Sequence, residues 1–342
     1  ADSSLTLIKK ICRSWFSFSC HCESLRYVYF KGVSYMFVSS MSLALAMTTN
    51  TFLVMGDMPY TPIDEINLAE GGKIAKAIAA TPHEFLMHLG DMKSGALACT
   101  NKLLQSNKSL LTSLTTQPFI YTPGDNEWTD CDREKLSVRF DELERLSFVK
   151  GLMFDEAYTQ KAKRLQGYAT QAEMPENARW QFNGIEFRTL HIPGTFNGRS
   201  QILKSDKNAA LDAADMRDKY NLVWLKQAHV HQDAKAYVFG FQADIYHPTS
   251  KSACSESQRA DCDAFKVYRD AISDFAKHTN KPVLVMHGDT GPYCTQQLAS
   301  NLTRLNVPGD FAVSDVAKVS FIDGQWHIAS VTTNVLLTKE CE

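Results

Sequence analysis

The sequence predicts an α/β protein built on parallel strands, and three observations carry that prediction. Four apolar runs of strand length, residues 52–55, 85–89, 119–122 and 283–287, each stop at a turn containing Gly-Asp. Helical patterns separate the first three runs, and strand–helix–strand–helix–strand defaults to a parallel sheet with right-handed crossovers. Asn183-Gly184 then falls between two strand patterns. This short-range hairpin signal turns the chain antiparallel and points to a second, mixed sheet.

Residues 52–55 open the order and end at Gly56-Asp57. Residues 63–80 read as a helix, with Ile66, Ile74, Ala77 and Ile78 near helical spacing, Asp64-Glu65 in the first turn and Pro82 beyond the end. Residues 85–89 lead to Gly90-Asp91, a helix is expected over 103–114, and residues 119–122 lead through Pro123 to Gly124-Asp125. A charged helix is expected over 134–146, then a polar excursion over 150–180. Strands follow at 179–182 and 185–190, then the loop His191-Ile192-Pro193-Gly194-Thr195-Phe196-Asn197-Gly198. A helix over 209–228 offers Trp224 and Leu225 to the core, and the strand at 236–241 stops at Gln242. A helix over 263–277 precedes the strand ending at Gly288-Asp289. Strands at 302–307 and 316–322 follow, and Asp323-Gly324 turns the last into 326–331.

The 342 residues suit one large α/β domain or two small ones, and no internal repeat or linker divides residues 51–342, which read as a single domain. Hydrophobic content of 44% and charged content of 22% are those of a globular protein. A formal net charge of -2 gives no electrostatic case for nucleic acid or an acidic membrane surface. No apolar run reaches membrane-span length, so stable membrane insertion is not expected.

Residues 1–50 differ from the rest. Residues 33–46 are apolar and Ser-rich, follow Arg26 and Lys31, and end Ala44-Leu45-Ala46, the pattern of a secretory leader. Upstream sequence, or a first element packed on the domain, remains open for this stretch. Six cysteines lie beyond residue 50 in loop positions without metal-type spacing, which favours disulfides in an oxidising, extracytoplasmic compartment. Cys99 and Cys131 each follow a Gly-Asp turn, Cys254 and Cys262 flank one polar loop, and Cys294 and Cys341 remain. Those pairs are a guess, because sequence alone does not fix connectivity.

Asp is the first side chain past the sheet edge in each Gly-Asp turn. If the strands are neighbours in one sheet, four carboxylates meet where open α/β sheets bind ligands. Like charges that close stay ionised only with cations, so the pattern points to divalent metal and to two-metal hydrolysis.

Gly56-Asp57-Met58-Pro59-Tyr60, Gly90-Asp91-Met92-Lys93-Ser94-Gly95, Pro123-Gly124-Asp125-Asn126-Glu127-Trp128-Thr129-Asp130-Cys131 and His287-Gly288-Asp289-Thr290 together resemble a bacterial branch of the calcineurin-like metallophosphoesterases, over roughly residues 51–331. The third motif is the most specific. The resemblance implies a four-layer α/β sandwich with two mixed β-sheets flanked by helices. It implies hydrolysis of a small phosphate mono- or diester by two divalent ions (Mn, Mg, Fe, Ca or Zn). Asp57 matches the ligand of one ion and Asp91 the bridging ligand. Asp125 stands where an Asn ligand is usual, and Asn126 where a His contacts the phosphate or leaving group. Gln242 stands near a common ligand His, and Asp289 falls within the last ligand segment. Lys93 and Arg133 are candidate phosphate contacts, although ion pairs with local acids suit both better. Glu127 suits bracing of the turn. His287, beside Gly288-Asp289, and His191, opening a loop after a strand, are the leading histidine candidates, for catalysis and substrate binding respectively.

Departures from the family pattern are specific. Pro59 occupies the position of a first-motif His, Asp125-Asn126 replaces Asn-His, and Gly291 falls where a last His ligand is usual. An oxygen-rich site favours harder ions. It also opens an alternative, a catalytically weakened relative that binds metal, phosphate or a partner. A haloacid-dehalogenase-like enzyme would want Asp-x-Asp after the first strand, where Asp57-Met58-Pro59 stands, and no Gly-x-Ser-x-Gly elbow for a serine hydrolase occurs.

Overall fold

The computed structural model describes residues 50–230, 233–311 and 313–341, together with the backbone of two strands nearer the start. The chain falls into two compact units, Ala1–Thr48 and Thr49–Glu342. In the first, β1 (Leu25–Phe30) and β2 (Val33–Val38) form an antiparallel hairpin with Leu25 opposite Val38. Apart from β2, the leader-like stretch 33–46 lies outside the described residues, as do Cys12, Cys20 and Cys22.

The second unit is an α/β sandwich of two mixed sheets flanked by helices. Its five-stranded sheet contains β3 (Thr51–Met55), β4 (Leu86–His88), β5 (Phe119–Tyr121), β13 (Ala317–Ile322) and β14 (Gln325–Ser330), in the order β14-β13-β3-β4-β5. The seven-stranded sheet contains β6 (Gln166–Thr170), β7 (Ala178–Phe182), β8 (Ile185–Thr189), β9 (Ala236–Gly240), β10 (Val283–His287), β11 (Cys294–Ala299) and β12 (Leu302–Asn306). Their order is β11-β12-β10-β9-β8-β7-β6. Parallel pairing joins β3, β4 and β5 in one sheet and β8, β9, β10 and β12 in the other.

Apolar side chains of the two sheets meet face to face. Phe52 and Phe85 on one side meet Phe187 and Trp180 on the other, with ring centroids 5.1–5.3 Å apart. Large flat rings bury much area each and prefer such edge contacts. A separate cluster, with Trp224, Leu225, Tyr268, Ile272 and Phe275, seats the helices Lys207–Lys226 and Lys266–Thr279 on the seven-stranded sheet. Because both sheets present parallel strands, their carboxyl ends open at one rim, where ligands bind in such folds.

The expected four-carboxylate edge of one sheet is therefore corrected. Asp57, Asp91 and Asp125 follow β3, β4 and β5, but Asp289 follows β10 of the other sheet. The helix expected over 63–80 is two, Pro62–Leu68 and Lys73–Ala80. The first ends at Ala69, which turns extended with ψ of 161°, and Gly71 in the linker has φ of 81°. The helix expected over 134–146 runs from Glu142 to Met153, because Asp141 caps it by accepting from the Glu144 amide at 2.9 Å. Within the expected excursion over 150–180 lie the helix Glu156–Ala162 and strand β6. Strand β11 was not foreseen, since its Cys-Thr-Gln-Gln-Leu-Ala sequence is that of a polar edge strand.

Disulfides join Cys99–Cys131, Cys254–Cys262 and Cys294–Cys341, the three pairs the loop positions suggested. Among the described residues no helix is long and apolar enough to cross a membrane.

Candidate metal centre

Carboxylate oxygens of Asp91, Asp125 and Asp289 all lie within 4.8 Å of one another. Asp57 adjoins this group: the Asp289 amide donates to its Oδ1 and Oδ2 at 3.1 and 3.2 Å. The backbone delivers these acids at a conformational cost. Asp57, Asp91 and Asp289 have φ of 51°, 59° and 77°. Left-handed non-glycine residues cost roughly 1–3 kcal/mol each and gather at functional sites, with Asp among the types that tolerate it best. The neighbouring glycines serve a purpose beyond the bend. A Cβ at Gly288 would run into Asp57 Oδ2, and one at Gly124 into Asp91 Oδ1.

Neutral donors knit the acids together. Tyr60 Oη donates to Asp91 Oδ2 at 2.8 Å and lies 3.3 Å from Asp57 Oδ1, while Asn126 Nδ2 donates to Tyr60 Oη at 2.6 Å. Asn126 also reaches Asp91 through Nδ2 at 2.8 Å and through its backbone amide at 3.1 Å. Gln242 Nε2 lies 3.1 Å from Asp91 Oδ2 and 3.3 Å from Asp125 Oδ1. Glu127 braces the turn, accepting from the Gly124 amide at 2.6 Å, the Asp91 amide at 3.3 Å and the Tyr121 hydroxyl.

Burial and mutual repulsion disfavour the ionised form of these acids. Burial, then the charges of Asp310 and Asp125, pushes the Asp57 carboxyl up to about 8, against the Asp289 amide that lowers it. Asp91 is raised well above the usual range by burial and then by Asp125 and Asp57. Asp289 keeps a partly exposed edge, but desolvation of its carboxylate, then Asp125 and Asp57, raise it likewise. Charged acids this crowded require a compensating positive charge. The atoms gathered here are carboxylate oxygens, a set that fits hard divalent ions, and among the described residues no histidine joins the group.

The remaining candidates separate. Lys93 is fully buried and donates to the Ser94 carbonyl at 2.9 Å. Burial pushes its ammonium down to about 8, while Glu127, Asp91 and Asp130 oppose that. Arg133 pairs with Asp130 and lies beside Gly95, where an added Cβ would meet both its guanidinium and Asn126 Oδ1. A cleft of about 720 Å³ lined by Gly95, Arg133, Leu136 and Leu203 opens there.

His191 is buried against the Trp128 ring with Nδ1 3.1 Å from Glu176 Oε1. His287 is buried too: its Nδ1 lies 2.9 Å from the Gly288 carbonyl, and its Nε2 accepts from Arg304 Nε at 2.8 Å. Arg304 also donates to Asp244 at 2.9 Å, and the Asp244 amide donates to Asp289 Oδ2 at 3.2 Å. His287 thus reaches the acids only through intermediaries.

Sequence reasoning passed over Tyr60, Thr195, Asp130 and Asp244. Tyr60 closes the Gly56-Asp57-Met58-Pro59-Tyr60 motif and is readable there. Thr195 had no signal beyond its place in a loop.

No protein-family model matches the chain, and no curated protein of similar sequence is found. Among solved structures, a dimetal phosphatase from Danio rerio is 10% identical, over 82% of this chain and 95% of that one, with a TM-score of 0.49. The protein TT1561 of Thermus thermophilus is 11% identical over 82% and 98%, with a TM-score of 0.40. A 5'-nucleotidase from Candida albicans is 10% identical over 82% and 51%, with a TM-score of 0.41. These likenesses are distant, and the functional case comes from this chain's own side chains.

Proposed function

We propose that this chain hydrolyses a small phosphate mono- or diester with the help of divalent metal ions. The observation that carries the reading is the meeting of Asp91, Asp125 and Asp289 oxygens within 4.8 Å in desolvated surroundings. In this reading Asp91, Asp125 and Asp289, with Asp57 and Gln242 adjoining, hold the ions. Bound there, divalent ions supply Lewis-acid polarisation of phosphoryl oxygens and a more acidic water. The chain's own residues do the rest. Asn126, fixed by Asp91 and Tyr60, orients the phosphate or leaving group, and Arg133 at the cleft adds positive charge. Lys93 balances the inner acids. His191 and His287 are assigned structural parts, because each is buried with Nδ1 beside a hydrogen-bonding oxygen.

The test is turnover of p-nitrophenyl phosphate and its bis-ester with added Mn²⁺ or Mg²⁺. The reading expects hydrolysis that chelation abolishes. A second reading, a metal- or phosphate-binding relative of weakened activity, is favoured by the absence of histidine from the described acid group. Metal binding without turnover would select it. We further propose an extracytoplasmic location, supported by the three disulfides.

A further inference from the structure

We propose that Thr195 is a positioning residue for the metal centre, and that the left-handed turn carrying it is held under strain for that purpose. This rests on the metal-centre reading above. Thr195, Phe196 and Asn197 are three consecutive non-glycine residues with φ of 52°, 52° and 58°. A left-handed backbone crowds Cβ against the following carbonyl oxygen, most severely for a β-branched residue, so local preference does not produce such a run.

Asn197 holds the turn down. Its Oδ1 accepts from Arg217 Nε at 3.1 Å, its Nδ2 donates to Asp218 Oδ1 at 2.5 Å, and its carbonyl accepts from Arg217 Nη2. Arg217 and Asp218 stand on the helix Lys207–Lys226. The Arg217 guanidinium also lies 5.1 Å from the Trp128 ring centroid, which ties the same helix to the Asp125 turn.

The front of the turn shows what the strain achieves. Thr195 Oγ1 lies 2.7 Å from Asp125 Oδ2 and 2.8 Å from Asp130 Oδ1. The Gly194 amide donates to Gln242 Oε1 at 2.5 Å. A Cβ at Gly194 would run into Asp125 Oδ2 and lie 3.0 Å from Asp289 Oδ1. One turn therefore sets the side chains of Asp125 and Gln242, which follow strands of different sheets. With Oδ2 held by Thr195, Asp125 presents Oδ1 beside Gln242 Nε2, which also reaches Asp91. Partners that orient a ligand group matter to a metal nearly as much as the ligand itself.

The test is calorimetric Mn²⁺ titration of the full chain and of Thr195→Gly, Thr195→Val and Thr195→Ser, with the metal-free Tm of each. Glycine removes the hydroxyl and relieves the backbone, so Thr195→Gly is expected to bind Mn²⁺ at least about tenfold more weakly with an unchanged or higher Tm. Thr195→Ser is expected to stay within about threefold of the parent. Should Thr195→Val fail to fold, Thr195→Gly decides alone. A parent chain that binds no Mn²⁺ overturns the metal reading itself. A parent that binds, with Thr195→Gly within about twofold of it, overturns only the role of Thr195. So does Thr195→Gly losing Tm and affinity together, the mark of a merely structural residue.

Discussion

The backbone amide of Asp289 donates to both carboxylate oxygens of Asp57, at 3.1 and 3.2 Å, although Asp57 follows β3 of one sheet and Asp289 follows β10 of the other. The contact pins the two sheet rims together at the point where their acids gather. It needs Gly288, since any side chain there would occupy the space of Asp57 Oδ2.

Asp91 is the acid with most partners in the group, touched by Tyr60, Asn126 and Gln242. Asp91→Asn keeps the shape and removes the charge. It is expected to lower metal-dependent kcat/KM for p-nitrophenyl phosphate by at least about two orders of magnitude. Unchanged turnover would remove Asp91 from the metal site.

Metal should stabilise the fold more as pH rises. Asp57 sits at about 8 in the folded chain against 3.8 ordinarily. Below the lower value both states carry the proton. As pH climbs from there through the folded value, the unfolded chain loses it while the fold retains it, and metal-free stability drains away. Cations remove that penalty. The gain in Tm on adding Mn²⁺ to chelator-treated protein is expected to be larger near about pH 8 than near about pH 5.5. An equal gain at both would contradict this.

His191 gives the fold an acid limit. Burial first, against Glu176, pushes its imidazole down to about 4 from 6.5. As pH falls below the unfolded value, the unfolded chain takes up a proton that the fold refuses, so stability is lost towards the folded value. The loss from this one group between about pH 7 and pH 5 is roughly 2 kcal/mol. Urea unfolding at the two pH values, with His191→Gln as the flattened control, measures it.

The disulfide Cys99–Cys131 joins the loop after Asp91 to the short helix after Asp125, across a sequence separation of 32. Replacing both cysteines by Ala is expected to cost about 4 kcal/mol in unfolding free energy. Mass analysis under non-reducing conditions is expected to find no free thiol among the six body cysteines. Six free thiols would overturn both the pairing and the extracytoplasmic proposal.

Much of the site could be read in the sequence because it is local. A strand, a glycine and an acid are adjacent in the chain, so Asp57, Asp91, Asp125 and Asp289 announced themselves, and Glu127 could be read as a brace three residues past Gly124. What escaped is non-local. Nothing near 283–287 says that β10 lies in a different sheet from β3, because sheet membership is decided by long-range pairing. Thr195 escaped because its role depends on Asn197 reaching Arg217 and Asp218 about 20 positions away in sequence. His287 looked catalytic from its place beside Gly288-Asp289, but its ring nitrogens lie against the Gly288 carbonyl and Arg304. Helix 63–80 was overdrawn for a local reason, since apolar spacing continued across the pair Gly71-Gly72.

The most direct measurement is an anomalous difference map from crystals soaked in Mn²⁺. The account predicts a peak in the space that Asp91, Asp125 and Asp289 share, weakened or lost in Asp91→Asn. Density confined to surface carboxylates, with nothing between those three residues, would contradict it.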